Sequence, residues 1–232
     1  MRTLTNFLVF TFILSTSLVS AQTRETCNQN LSIFAESAKV KNYDAAYEPW
    51  NAVRAECPKL NRAIYTYGER ILKSRLKNAV GATKDAEAQD LMKLYDQWIE
   101  NFPSRKGRNM IGSILASKAQ TMMDYKLGTT AEVYATFDAA YTKDINSFTN
   151  PKGLYNYFKT MHALYKEGAA GVTPEKLFNK YEEVSEKFEL EGTKLAKKLD
   201  VLLKKEESGS PLTTKDLRNR KKFDTNSRAI GI

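Results

Sequence analysis

The chain has 232 residues, a net charge of +9, two cysteines and one histidine. Its basic and acidic residues interleave along most of the length, a pattern of solvated helix faces that argues against a nucleic-acid footprint. Two cysteines with no histidine nearby in sequence make a poor metal site, and after the first 21 residues no stretch is apolar enough to cross a membrane.

Residues 1–21 read as a cleaved export signal. Arg2 supplies the positive start, Phe7–Val19 is a mostly apolar run, and Val19-Ser20-Ala21 is a small-x-small cleavage site. The run is too short to span a bilayer comfortably. Cleavage before Gln22 leaves a domain of residues 22–207 and a basic tail, 208–232. The style of the signal is bacterial, which places the product in the periplasm first and outside the cell second.

Ala46, Trp50 and Val53 fall at i, i+4 and i+7 and share one helix face. Asn42-Tyr43-Asp44 starts that helix and Pro58 follows its end. Before it, Leu31, Phe34, Ala35 and Ala38 form a second stripe, so residues 27–57 make a helical hairpin. Cys27 and Cys57 sit where the start of the first helix meets the end of the second. A disulfide there staples the hairpin; the alternative is two buried free thiols.

The next hairpin carries Ile64, Tyr67, Gly68 and Ile71, turns near Gly81, returns through Leu91, Leu94, Tyr95, Trp98 and Ile99, and stops at Pro103. A third runs from Arg108 through Ile114 and Leu115, turns at Gly128, and returns through Val133, Tyr134 and Phe137 towards Pro151. A fourth has Leu154, Tyr157, Phe158, Met161 and Leu164, a turn over Gly168–Thr173, and Leu177, Phe178, Tyr181, Val184 and Phe188 after Pro174. Beyond Gly192 a separate amphipathic helix is expected over Leu195–Leu203. Ser208-Gly209-Ser210-Pro211 reads as a linker, and the basic tail after it as a frayed end or as the start of a further helix in a longer protein.

The spacing of a small residue, an aromatic four later and a helix-ending proline in 46–58 resembles the second helix of a tetratricopeptide (TPR) unit, and Tyr67-Gly68 resembles its first helix. The resemblance implies an all-α fold, an α-solenoid of about four hairpins. The aromatics Trp50, Tyr95, Phe137 and Tyr181 recur at intervals of 45, 42 and 44 residues, longer than the roughly 34 of a TPR, which leaves a HEAT-like or a TPR-like solenoid open. They are expected in the core together with Trp98.

No nucleophile, phosphate loop, cofactor motif or calcium loop is recognisable, and no cofactor or metal is expected. A carboxylate pair assembled from distant helices, as in an envelope hydrolase, is the enzymatic alternative. The resemblance instead implies a non-catalytic scaffold that holds another envelope or secreted protein in its groove. Transferred to matching helix faces, the groove residues are Arg62, Tyr65, Glu69 and Lys73 in the second hairpin, and Tyr155, Lys159 and His162 in the fourth. The alternative is a module held to anionic lipid or polysaccharide by its basic C-terminal region.

Overall fold

The computed structural model describes residues 22–229; the expected signal, 1–21, and the last three residues lie outside them. The described residues form nine helices: α1 (22–39), α2 (Tyr43–Glu56), α3 (Ala63–Asn78), α4 (Gly81–Asn101), α5 (Ile111–Tyr125), α6 (Thr130–Asp144), α7 (Pro151–Lys166), α8 (Pro174–Glu207) and α9 (Thr214–Ala229). A two-residue antiparallel ribbon, β1 (Ser104–Arg105) and β2 (Arg108–Asn109), precedes α5. Its turn residues Lys106 and Gly107 both have positive φ, the geometry of a tight hairpin turn. The fold is all-α, with helices packing on their neighbours in sequence. It divides into two compact units between Pro103 and Ser104, a boundary not marked in the sequence reading.

In the first unit α1 buries Cys27, Phe34 and Ala38, and α2 buries Ala46, Trp50 and Val53. Asn42 caps α2 by accepting from the Ala45 amide. Trp50 is fully buried and donates from Nε1 to the Ile64 carbonyl at 2.7 Å. Gly68 makes room for it: a Cβ there would stand 2.6 Å from that nitrogen. The sulfurs of Cys27 and Cys57 lie 2.11 Å apart, bonding distance for a disulfide, at a sequence separation of 30. Ala79-Val80 is extended and Gly81 (φ +54°) opens α4.

The second unit opens with its tightest helix contact. A Cβ at Gly112 in α5 would lie 2.0 Å from the Asp144 carbonyl at the end of α6, so glycine lets the backbones touch. Thr129 and Glu132 cap α6 reciprocally, and Asn150 and Thr173 cap α7 and α8 ahead of Pro151 and Pro174. Phe137, Phe148 and Tyr157 are fully buried and form the aromatic centre, with Phe137 and Phe148 stacked at 6.1 Å.

One expectation about the C-terminal third is corrected. Gly192 does not end a helix, and Leu195–Leu203 is not a separate one: α8 runs unbroken for 34 residues. Gly192 is itself buried, and that packing overrides the roughly 1 kcal/mol propensity cost of glycine inside a helix. Of the two readings of the tail the structure has the helical one, over Thr214–Ala229, and α9 packs on α8 through Lys205–Asp216 (2.8 Å) and Arg220–Glu206 (2.5 Å).

Candidate functional site

Of the expected groove residues in the second hairpin, Tyr65 is buried against α4, while Arg62, Glu69 and Lys73 are half-buried. Tyr65 is fully buried; it donates to the Pro58 carbonyl at 3.0 Å, accepts from Asn101 at 2.9 Å, and stacks on Trp98 at 6.2 Å. Burial raises its phenol pKa. Tyr65 is therefore an interior residue and cannot meet a partner. Glu69 accepts from Tyr95 at 2.8 Å and pairs with Lys73 at 2.7 Å, and the Arg62 guanidinium lies 5.0 Å from the Trp98 ring centre. These positions, 62, 65, 69 and 73, follow helical spacing, and Arg62, Tyr65 and Glu69 make contacts across the α3–α4 seam.

Four polar networks at helix seams went unread in the sequence. Buried Arg54 on α2 reaches Asp90 at 2.8 Å and Gln97 at 2.8 Å on α4, locking together helices of successive hairpins. Arg75 pairs with Glu87 at 2.6 Å across the α3–α4 turn. At the start of α5, Ser147 donates to Asp144, which also accepts from the Gly112 amide at 3.3 Å. The fourth network joins α6, α7 and α8. Tyr157 donates to Asp138; Lys180 stands 2.7 Å from Glu183 and 3.8 Å from Asp138, over the rings of Tyr157 and Tyr141.

The tyrosines of that last cluster are held in the neutral form. Burial pushes Tyr157 far up, aided by its bond to Asp138; Tyr134 is raised chiefly by burial, and burial with nearby Glu183 takes Tyr141 up to about 12. All three phenols stay protonated at neutral pH and serve as donors or packing surface. On α8, burial pushes Glu191 up, but hydrogen bonds from Lys194 and Lys187 outweigh it and hold the carboxyl below its ordinary value.

The α7–α8 hairpin is different in kind, because its outer face is open. On α7, Tyr155, Phe158, His162 and Tyr165 follow one another at spacings of 3, 4 and 3. On antiparallel α8, Phe178, Tyr181, Ser185 and Phe188 repeat those spacings. This is the a/d rhythm of a coiled-coil seam. Tyr155 and Phe178 are each 59% exposed and Tyr181 52%. Between the helices runs a groove of about 450 Å³ lined by Tyr155, Phe158, Tyr181, Val184, Ser185, Phe188 and Glu189. Phe158 meets Tyr181 edge-on at 5.5 Å and stacks on His162 at 6.4 Å.

Charge flanks the groove in two rows of opposite sign. Lys152, Lys159 and Lys166 recur every seven residues along the outer edge of α7. Glu175, Glu182 and Glu189 do the same along the outer edge of α8, with Glu186 beside them. All seven side chains are exposed; Lys152 also approaches Asp124 at 3.6 Å.

The structure thus brings Tyr155, Lys159 and His162 together on one open face and removes Tyr65 from any surface. It also corrects Tyr181, expected in the core and found on the groove. Trp50, Tyr95, Trp98 and Phe137 are buried as expected. The heptad rhythm of α7 and α8 is present in the sequence, beside an equally periodic apolar stripe one position away that faces the core.

Among the described residues no three His, Cys, Asp or Glu side chains come together as a metal site requires, and no described helix is long and apolar enough to cross a membrane. No family model, curated protein or solved structure matches the chain.

Proposed function

We propose that this protein is a non-catalytic, TPR-like helical scaffold of the cell envelope that binds an amphipathic helix of a polypeptide along the α7–α8 seam. The observation that carries this is the double row at heptad spacing, aromatic but for Ser185, with Tyr155, His162, Tyr165, Phe178 and Tyr181 exposed, set between a lysine row and a glutamate row. Contiguous exposed apolar surface rimmed by charge marks interaction sites in soluble proteins. Tyrosine and phenylalanine supply rigid contact area at low entropic cost. Export is supported by the character of residues 1–21, and Cys27 and Cys57 at bonding distance suit an oxidising compartment.

The test is binding of a designed amphipathic helix to the purified protein by fluorescence anisotropy. The probe carries apolar residues at a and d, acidic residues on the edge facing α7 and basic residues on the edge facing α8. Saturable binding that is lost in the charge-exchanged probe and in Phe178→Ser/Tyr155→Ser is expected. Failure of both probes to bind the monomeric protein overturns the proposal.

A second role, at anionic surfaces, is favoured by one observation: Lys215 and Arg218 on α9 are exposed, while Lys205 and Arg220 are occupied by Asp216 and Glu206. Co-sedimentation with phosphatidylglycerol vesicles at low and high salt tests it. Salt-sensitive binding lost in Lys215→Glu/Arg218→Glu is the expected result, and no binding at low salt overturns it.

A further inference from the structure

We infer that the occupant of the α7–α8 seam is the same seam of a second copy of this chain, giving a two-fold dimer built on an antiparallel four-helix bundle. This deepens the proposed binding role of that face and rests on it. The argument is self-complementarity. Along the seam the lysine row lies on one outer edge and the glutamate row on the other. A two-fold axis in the interface, parallel to the helices, exchanges left and right edges while keeping height along the axis unchanged. It sets α7 of one copy against α8 of the other, antiparallel, so each lysine row meets a glutamate row. An axis across the helices would set α7 on α7 and oppose lysine to lysine.

The heights match as well. The Phe158–Tyr181 contact, and the groove shared by Tyr155 and Phe188, fix the antiparallel register of the hairpin. In that register Lys152 is level with Glu189, Lys159 with Glu182, and Lys166 with Glu175, each within about 3 Å at ~1.5 Å of rise per residue. Because the axis preserves height, each lysine finds its glutamate on the opposite copy without sliding. Charged residues at the edges of an a/d seam set partner choice and orientation in helical bundles. Here they select the chain's own face. The face measures about 20 by 20 Å for two helices of this length packed side by side. That is about 400 Å² per copy and about 800 Å² in all, below the standard size of a specific interface, so the dimer is a weak one that forms with concentration.

The experiment is sedimentation velocity of the purified protein across a concentration series. Two triple variants are compared with it: Lys152→Glu/Lys159→Glu/Lys166→Glu and Glu175→Lys/Glu182→Lys/Glu189→Lys. All six positions are exposed, and circular dichroism checks that each variant folds. Each triple variant alone should dimerise at least ~100-fold more weakly than wild type, since every pairing becomes a like-charge repulsion. Mixing the two should restore a dimer, because one then presents two acidic rows to two basic ones. As a control independent of charge, Phe178→Ser should also weaken the wild-type dimer. A monomeric wild type, a dimer indifferent to both triple variants, or loss without recovery on mixing each overturns the inference. A monomer that still binds the designed helix overturns only the self-pairing; a protein that does neither overturns the binding role too.

Discussion

The second and fourth hairpins carry the same kinds of residue on comparable helix faces and use them in opposite ways. On α3, Arg62, Tyr65, Glu69 and Lys73 are engaged within the first unit through Trp98, Asn101, Tyr95 and the Pro58 carbonyl. On α7, Tyr155, Lys159 and His162 face outward, and α8 answers with more exposed aromatics instead of covering them. A tyrosine on a helix therefore carries no fixed meaning. What decides is whether the return helix brings an atom to its hydroxyl, as Asn101 does for Tyr65, or leaves the ring beside a groove.

The largest effect that could break this contrast is in the core. Trp50→Ala should lose about 3–5 kcal/mol, the usual cost of emptying a buried large aromatic. Tyr181→Ala on the open face should lose less than ~1 kcal/mol. Both tryptophans belong to the first unit, so Trp98 fluorescence follows the melt of Trp50→Ala, and circular dichroism, which sees the helices of both units, follows that of Tyr181→Ala. Equal losses would erase the distinction.

Reducing the Cys27–Cys57 pair should lower the urea midpoint of the same unit by the equivalent of about 3–4 kcal/mol, the loop-closure entropy for a loop of this length. The tryptophan-detected melt should shift while the second unit's transition stays in place.

Gly68→Ala sharpens the comparison within α3. The added methyl meets the buried Trp50 indole, which has no room to retreat, so a net loss of about 1–3 kcal/mol is expected despite the better helix propensity of alanine. A stabilised variant would show that Trp50 can move.

The smallest effect concerns the clasp of α9. Hydrogen bonds from Lys205 first and Thr213 second hold the Asp216 carboxyl down to about 2. A depressed carboxylate contributes stability above its unfolded pKa and loses it as pH falls through the folded value, here from about 4 towards about 2. Wild type should exceed Asp216→Asn in urea midpoint at about pH 5, and the two should converge near pH 2.

Much of the local structure was legible. Asn42, Thr173-Pro174 and the Gly128 turn announce themselves by capping and turn chemistry that acts within a few residues. The hairpin spacing placed Cys27 beside Cys57 for the same reason: two short rods and a tight turn leave few alternatives. The clamps were not legible, because Arg54 and Asp90 lie 36 residues apart and no periodic signal links them. The open face was half legible. The 3-4-3 spacing on α7 and α8 is plain in retrospect, but the adjacent stripe of Leu154, Tyr157 and Met161 is equally periodic.

By itself, then, the sequence determined the all-helical class, the ends of most helices and which side chains share a face. Only the tertiary structure decided which faces are covered, that α8 passes through Gly192, and that Tyr65 is inside while Tyr181 is outside. The physical reason is that periodicity is a property of one helix, whereas burial is a property of two.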